Sequence, residues 1–261
     1  MQEYISMRIA VPPTWEQVFS HFYYAANLSR VPVEKHLLPA FQSIMAFNFG
    51  PPVPLEYGNE QFLPIEKTLV LGPVKKSMKY TMPAGSRILV ANFKDDAFYR
   101  FFGKPLQHYL TDPDKLIQTH CFADLWQELN GIKDPALQVE KLLDFSGLYL
   151  CERDPAAANI IENGFNDNPK QIAEKIAQSE RTVQLNYKKY LGFSSKEVNR
   201  YQRFQKAIGM LEPGKTPDWF EVMEECGYYD QSHLIKDFTH YVGMSPQVYW
   251  QLQDVMCRAG S

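Results

Sequence analysis

Few marks of a catalyst, a membrane protein or a secreted scaffold occur in this chain of 261 residues. No apolar run approaches the roughly 20 residues that a membrane-spanning helix needs, so no membrane partner is expected. The opening stretch, Met1 to Ala10, carries Glu3 and no apolar core, which gives no secretion signal. The four cysteines, Cys121, Cys151, Cys226 and Cys257, stand far apart and form no metal-like pair. Reduced thiols in a cytoplasm are the expectation, with no metal site. A Gly-rich phosphate loop, a paired-histidine zinc helix and a Gly-x-Ser-x-Gly turn are all missing. His120 and Cys121 are sequence neighbours and cannot easily face one substrate together, while His36 and His108 are isolated. No catalytic residue and no cofactor is expected. A large charge of one sign is missing too: the net charge is −3.

What is present is ordinary soluble composition, 45% hydrophobic and 22% charged, in a length sufficient for two cores. Residues 1–115 are broken often by Gly and Pro, at Pro12-Pro13, Gly50-Pro51-Pro52, Gly58, Gly72-Pro73 and Pro83-Ala84-Gly85. The short apolar runs between these breaks, Phe41 to Phe49, Thr68 to Leu71 and Ile88 to Phe93, read as strands of a sandwich or barrel. Val18 to Ala26 fits a helix or an aromatic strand. The dipeptide Asp95-Asp96 reads as a solvated turn. From Asp114 the period changes, and Leu116, Phe122, Leu125, Trp126 and Leu129, then Leu137 to Leu150, predict helices. A helical connector over 116–154 is expected.

The most informative stretch is Cys226 to Pro246. Asp230 is a good N-cap, and Leu234, Phe238 and Tyr241/Val242 recur on one helical face. Gly243 suits a left-handed helix end, and Pro246 the first turn of another helix. With Trp219 to Glu225 before it, this is the outline of a helix-turn-helix. A second copy stands 51 residues upstream. Ser179 matches Asp230, Val183 matches Leu234, Tyr187 matches Phe238, Tyr190 matches Tyr241, Gly192 matches Gly243 and Ser194 matches Ser245. Both copies, with a helix from Ser195 to Leu211 between them, resemble the tandem helix-turn-helix domain of the AraC/XylS family of bacterial transcription regulators, over roughly 155–255. The front half resembles that of one AraC-type subgroup through Leu38-Pro39, Ile44 to Gly50, Leu71-Gly72-Pro73 and Phe93 to Leu106. Asp95-Asp96 replace the Pro-Gly or Pro-Asn usual there. The resemblance implies an α+β chain with three parts. A β-rich, cupin-like or other barrel or sandwich domain (1–115) would bind an effector or a second copy in a homodimer. The helical connector (116–154) would lead to an all-α DNA-binding domain (155–255).

The faces opposite the core faces then become the candidate interface with double-stranded DNA. In the first copy these are Arg181, Thr182, Gln184, Leu185, Lys188 and Lys189. In the second they are Gln231, Ser232, Ile235, Lys236 and Thr239. Arg and Gln can make paired hydrogen bonds to base edges in the major groove, and lysines suit phosphates. A solvated face of an amphipathic helix is the plain alternative. Leu185 stands where the family places a cation. Residues 158–261 hold 12 Lys/Arg against 13 Asp/Glu, although Arg181, Lys188, Lys189, Lys196, Arg200, Arg203 and Lys206 cluster together. The competing reading is therefore a ligand-binding or protein-interaction module whose helix-turn-helix pair has weak or lost DNA affinity. His233 is expected in a structural or hydrogen-bonding role. The aromatic segments Phe19 to Tyr24 and Phe98 to Phe102 are candidates for lining an apolar pocket or a plain core.

Overall fold

The computed structural model describes residues 4–57, 61–107, 109–162, 169–212, 214–252 and 256–257. Gly58, His108, Pro213 and the side chain of Cys257 lie outside the described residues. Eleven strands are described: β1 (Tyr4–Ile9), β2 (Phe19–Asn27), β3 (Val33–Leu37), β4 (Ile44–Asn48), β5 (Val53–Tyr57), β6 (Gln61–Ile65), β7 (Thr68–Gly72), β8 (Met78–Met82), β9 (Arg87–Phe93), β10 (Tyr109–Thr111) and β11 (Met256–Cys257). They make two sheets, in the orders β1-β2-β9-β4-β7-β10 and β11-β3-β8-β5-β6. All pairings are antiparallel except that of the short β11 along β3.

The period of two decides which face each residue serves. Along β4, Ile44 and Ala46 enter the core between the sheets, whereas Met45 and Phe47 enter a second core on the other side. All five β4 residues are buried, as expected of a central strand covered on both faces. The same alternation settles Val18 to Ala26 as a strand. Phe22 and Tyr24 face one core, Tyr23 and Ala25 the other, and Phe22 pairs with Ala91 in the ladder.

That second core is closed by α1 (Ala97–Phe102), α3 (Cys121–Gly131) and α4 (Pro135–Tyr149), with α2 (Pro113–Ile117) between them in sequence. Phe122, Leu125, Leu129, Leu142 and Leu143 pack with Phe93, Phe98, Phe101 and Phe102. The segment read as a connector is thus a third layer over the first sheet. Phe98, Phe101 and Phe102 belong to packed core here, while Tyr99 and Arg100 between them are half-buried.

Asp95-Asp96 is not the solvated turn expected from two adjacent acids. Asp96 has no exposed surface, and Arg153 Nε donates to both of its carboxylate oxygens, at 3.0 and 3.2 Å. Asp95 takes a left-handed φ of 49°, and burial pushes its carboxyl above the usual range. The guanidinium is what makes a buried carboxylate tolerable.

Seven further helices follow among the described residues: α5 (Pro155–Glu162), α6 (Pro169–Lys175), α7 (Glu180–Asn186), α8 (Ser195–Met210), α9 (Trp219–Cys226), α10 (Gln231–Val242) and α11 (Pro246–Gln251). A single π turn, Tyr187–Leu191, extends α7. The expected punctuation is in place. Asp230 accepts from His233 N at 2.7 Å, Ser194 and Glu197 form a reciprocal capping box, and Ser245 caps α11. Val198 of α8 joins the core of the first module, while Phe204, Ala207 and Ile208 join that of the second.

The front domain is wedged against both modules. Leu38 is buried in the second module's core. The ring of Phe41 lies between Phe193 at 4.2 Å and Tyr201 at 3.8 Å, stacked on both. Pro39 O accepts from the Tyr201 hydroxyl at 2.7 Å, Ser77 N donates to Tyr241 O at 2.8 Å, and Lys75 pairs with Glu197 at 2.9 Å. Gly192, with a φ of 77°, sits where a Cβ would meet Leu106 at 3.0 Å and Pro73 at 3.2 Å. The Asp96→Ala variant, which leaves the Arg153 guanidinium without its buried partner, is expected to lose about 3 kcal/mol of stability, read as a lowered urea midpoint at unchanged slope.

Candidate DNA interface and effector cavity

The first recognition helix begins where Ser179 accepts from Thr182 N at 3.1 Å. Val183, Tyr187, Tyr190 and Leu191 are buried against Ile160 and Ile172 of the two preceding helices. With that face committed, Arg181, Thr182, Gln184, Leu185 and Lys188 all stand exposed, and Leu185 keeps 56% of its surface in solvent. Gln184 Nε2 donates to Glu180 Oε1 at 2.9 Å, one turn back along the same face.

Lys189 is placed elsewhere. Its Nζ donates to the Tyr190 hydroxyl at 2.8 Å, lies 5.0 Å from the ring centre of Tyr99 and 3.9 Å from Asp154. The hydroxyl of Tyr190 in turn donates to Asp154, whose carboxyl that bond holds below the usual range. Lys189 therefore serves the seam with the front domain, one helical step away from the exposed face.

The second recognition helix, α10, buries Leu234, Phe238, Tyr241 and Val242 and exposes Gln231, Ser232, Ile235, Lys236 and Thr239. His233 packs its ring edge-on to Tyr228 at 5.2 Å, a structural placement. One buried position breaks the apolar pattern. Asp237 is 1% exposed, and it accepts from Arg200 Nε at 2.7 Å and Arg203 Nη2 at 3.2 Å. Lys206 pairs with Glu225 at 3.2 Å. Three members of the expected cationic cluster are thus engaged inside the domain, because one face of α8 is turned onto α9 and α10. The signal was present in sequence: an acid at a core position of α10, with arginines three residues apart on the preceding long helix. Arg181, Lys188, Lys196 and Lys236 make no ion pair among the described residues.

The front domain holds a cavity between its sheets, where the centre of a water-sized sphere has about 70 Å³ in which to move. Its walls are mostly aliphatic, from Leu37, Ile44, Leu55, Ile65, Leu69 and Ile88, with His21 and Asn92 as polar points. Tyr23, of the first aromatic segment, lines it as well. The His21 ring is 3.0 Å from the Ser20 hydroxyl, which also donates to Gln42 beside Phe41. Burial, assisted by Arg8, pulls the His21 pKa down from 6.5 to about 4. Among the described residues, no group of three or more His, Cys, Asp or Glu is placed to hold a metal, and no helix is long and apolar enough to cross a membrane.

A histidine held neutral in the fold but free to protonate when unfolded favours the unfolded chain in acid. Stability should fall as pH drops from about 6.5 through about 4, and His21→Gln should flatten that part of a plot of urea midpoint against pH.

Residues 172–251 match the family model described as a helix-turn-helix domain. No curated protein matches the chain. Among solved structures, ToxT from Vibrio cholerae is 11% identical, with 96% of this chain and 99% of that chain covered at a TM-score of 0.45. ToxT from the same organism with an unsaturated fatty acid bound is 10% identical, covering 96% and 95%, at a TM-score of 0.42. An RmlC-like cupin protein from Desulfovibrio desulfuricans is 10% identical, covering 35% of this chain and 83% of that one, at a TM-score of 0.28. Residues 172–251 of this chain are a helix-turn-helix domain of the AraC type, carried behind a β-rich front domain of two sheets.

Proposed function

We propose that the protein is a sequence-specific DNA-binding transcription regulator that inserts its two recognition helices, at about 180–190 and 231–241, into successive major grooves. The observation that carries this reading is the repetition of one device. Each recognition helix is capped by a side-chain oxygen, buries one face, ends at a left-handed glycine and leaves a hydrogen-bonding face open. The long α8 contributes to the core of both modules, so the two faces keep a fixed relation. Such rigidity suits a duplex whose major grooves recur on one side every 34 Å or so.

Within this reading, Arg181 and Gln184 read base edges through paired hydrogen bonds, with Thr182 beside them, and Lys188 neutralises a phosphate. In the second helix Gln231, Ser232 and Thr239 read bases, Ile235 meets a thymine methyl, and Lys236 supplies the charge that Leu185 lacks in the first. Lys189, engaged in the seam, is left out of the reading face. The front-domain cavity is the proposed effector site. Its aliphatic walls favour a small apolar molecule, with His21 and Asn92 fixing its orientation. The reading of a helix-turn-helix pair with weak or lost DNA affinity draws on the near-neutral charge of the domain and on exposed Leu185.

Selection of bound duplexes from a random pool at two salt concentrations separates the two. Enrichment of a site with two half-elements about one helical turn apart supports the regulator, whereas no enrichment at low salt favours the retired domain. On the selected site, Arg181→Ala is expected to cost about 2 kcal/mol and to relax one base position. Leu185→Arg is expected to tighten binding and steepen its salt dependence by close to one phosphate contact. A flat response at both positions places the face away from DNA.

A further inference from the structure

Between the two modules lies a cleft of about 570 Å³ that shares only Lys236 with the recognition faces. Pro169 lines it from α6, Ser195, Lys196, Asn199, Arg200 and Arg203 from α8, and His233, Lys236 and Asp237 from α10. Both modules and the helix between them therefore contribute. We propose that this cleft is a phosphate saddle, a site for the sugar–phosphate backbone of DNA where it crosses between the two major grooves, with Lys196, Asn199 and Arg200 as its donors. The proposal rests on the regulator reading and adds residues to it.

Charge is the first support. The helix-turn-helix region is nearly neutral overall, yet the cleft gathers four Lys or Arg side chains against a single acid. That acid does not face a ligand unscreened. Asp237 is 1% exposed and already accepts hydrogen bonds from both arginines. It accepts from Arg200 Nε at 2.7 Å and from Arg203 Nη2 at 3.2 Å, so a single carboxylate is shared between two guanidinium groups. The carboxylate is thereby a brace that holds two guanidinium groups at the floor of the cleft, and the cleft stays cationic. Glu197, the other acid on this stretch of α8, is taken by Lys75 and by Ser194 and is not among the lining residues.

Donor chemistry is the second support. Lys196 stands exposed without an ion pair among the described residues, beside the amide of Asn199 and the hydroxyl of Ser195. These are groups that bind phosphate oxygens, and the one aromatic ring among the lining residues, His233, is already packed edge-on to Tyr228. Position is the third. A duplex read in two successive major grooves from one side presents the intervening minor groove, edged by its two backbones, to whatever lies between the readers. In this protein that is the cleft, next to Lys236 of the second reading face.

Lys196→Ala tests the saddle in the full-length protein, using the site recovered from the random pool and a scrambled duplex of equal length, each titrated from 50 to 200 mM salt. A lost phosphate contact lowers the slope of log affinity against log salt by about 0.9, so the wild-type advantage shrinks roughly threefold to fourfold across that range. The variant should weaken binding to both duplexes by the same factor and leave the thermal midpoint unchanged, and Lys196→Glu should weaken both further. An unchanged slope, or a loss confined to the selected site, overturns the saddle while leaving the regulator intact. Wild-type protein that binds neither duplex at 50 mM salt overturns the regulator reading and the saddle together.

Discussion

The stacking of Phe41 between Phe193 and Tyr201 is the contact on which the larger arrangement depends. A pair of aromatic rings in good geometry contributes about 1 kcal/mol beyond the area it buries, and here one ring is shared between two such pairs. Its effect is geometric as well as energetic. Phe193 closes the first module, Tyr201 belongs to the helix between the modules, and Tyr241, a further neighbour of Phe41 at 6.1 Å, belongs to the second. A single front-domain side chain therefore touches both helix-turn-helix modules and the helix between them. Phe41 adopts a left-handed φ of 51°, a conformation that a bulky residue takes only when its surroundings repay it. Leu37, a wall of the cavity, leads directly into this wedge through Leu38 and Pro39. The cavity and the wedge are consecutive parts of one stretch of chain.

Charge in the C-terminal half is spent twice. Buried Asp237 is shared by two arginines, leaving one positive charge over, and Glu225 pairs with Lys206. A count over the sequence therefore treats internal braces and open cations as one quantity. Once the braces are set aside, the open cations Arg181, Lys188, Lys196 and Lys236 stand on the exposed faces of the two capped helices and in the cleft between them. Near-neutrality of the domain is in this sense a property of its interior and its far side. Modest nonspecific affinity with a retained positive strip is the expected result.

Much of the C-terminal half was legible because its elements are local. An N-cap, a core face at helical spacing and a terminating glycine all lie within some fifteen residues of one another. The register at Ser179 and Asp230 could therefore be read directly, down to the capping oxygen. The front half yielded its strands where turn residues bracket them, as at Thr68 to Leu71, but not its layers. Nothing local in Val18 to Ala26 distinguishes a strand with two covered faces from an aromatic helix, because the deciding partners lie in β1, β9 and the helices over the sheet. Asp96 was misjudged for the same reason. The Arg153 that makes its burial tolerable is 57 residues away. Lys189 is the corresponding case, a cation that bonds its neighbour Tyr190 but is also held by Tyr99 and Asp154, which come from outside its own module.

The crowded glycine at position 192 carries a consequence for how such a protein can diversify. With Leu106 and Pro73 packed against the place its side chain would occupy, the end of the first recognition helix is moulded to this particular front domain. Exchange of front domains between relatives would here leave a hydrophobic scar: Phe193, Tyr201 and the hollow vacated by Leu38 would face water. A viable chimera would have to carry the 38–41 segment, and the loop bearing Pro73, along with the DNA-binding half. The inheritable unit of this chain is larger than either of its domains.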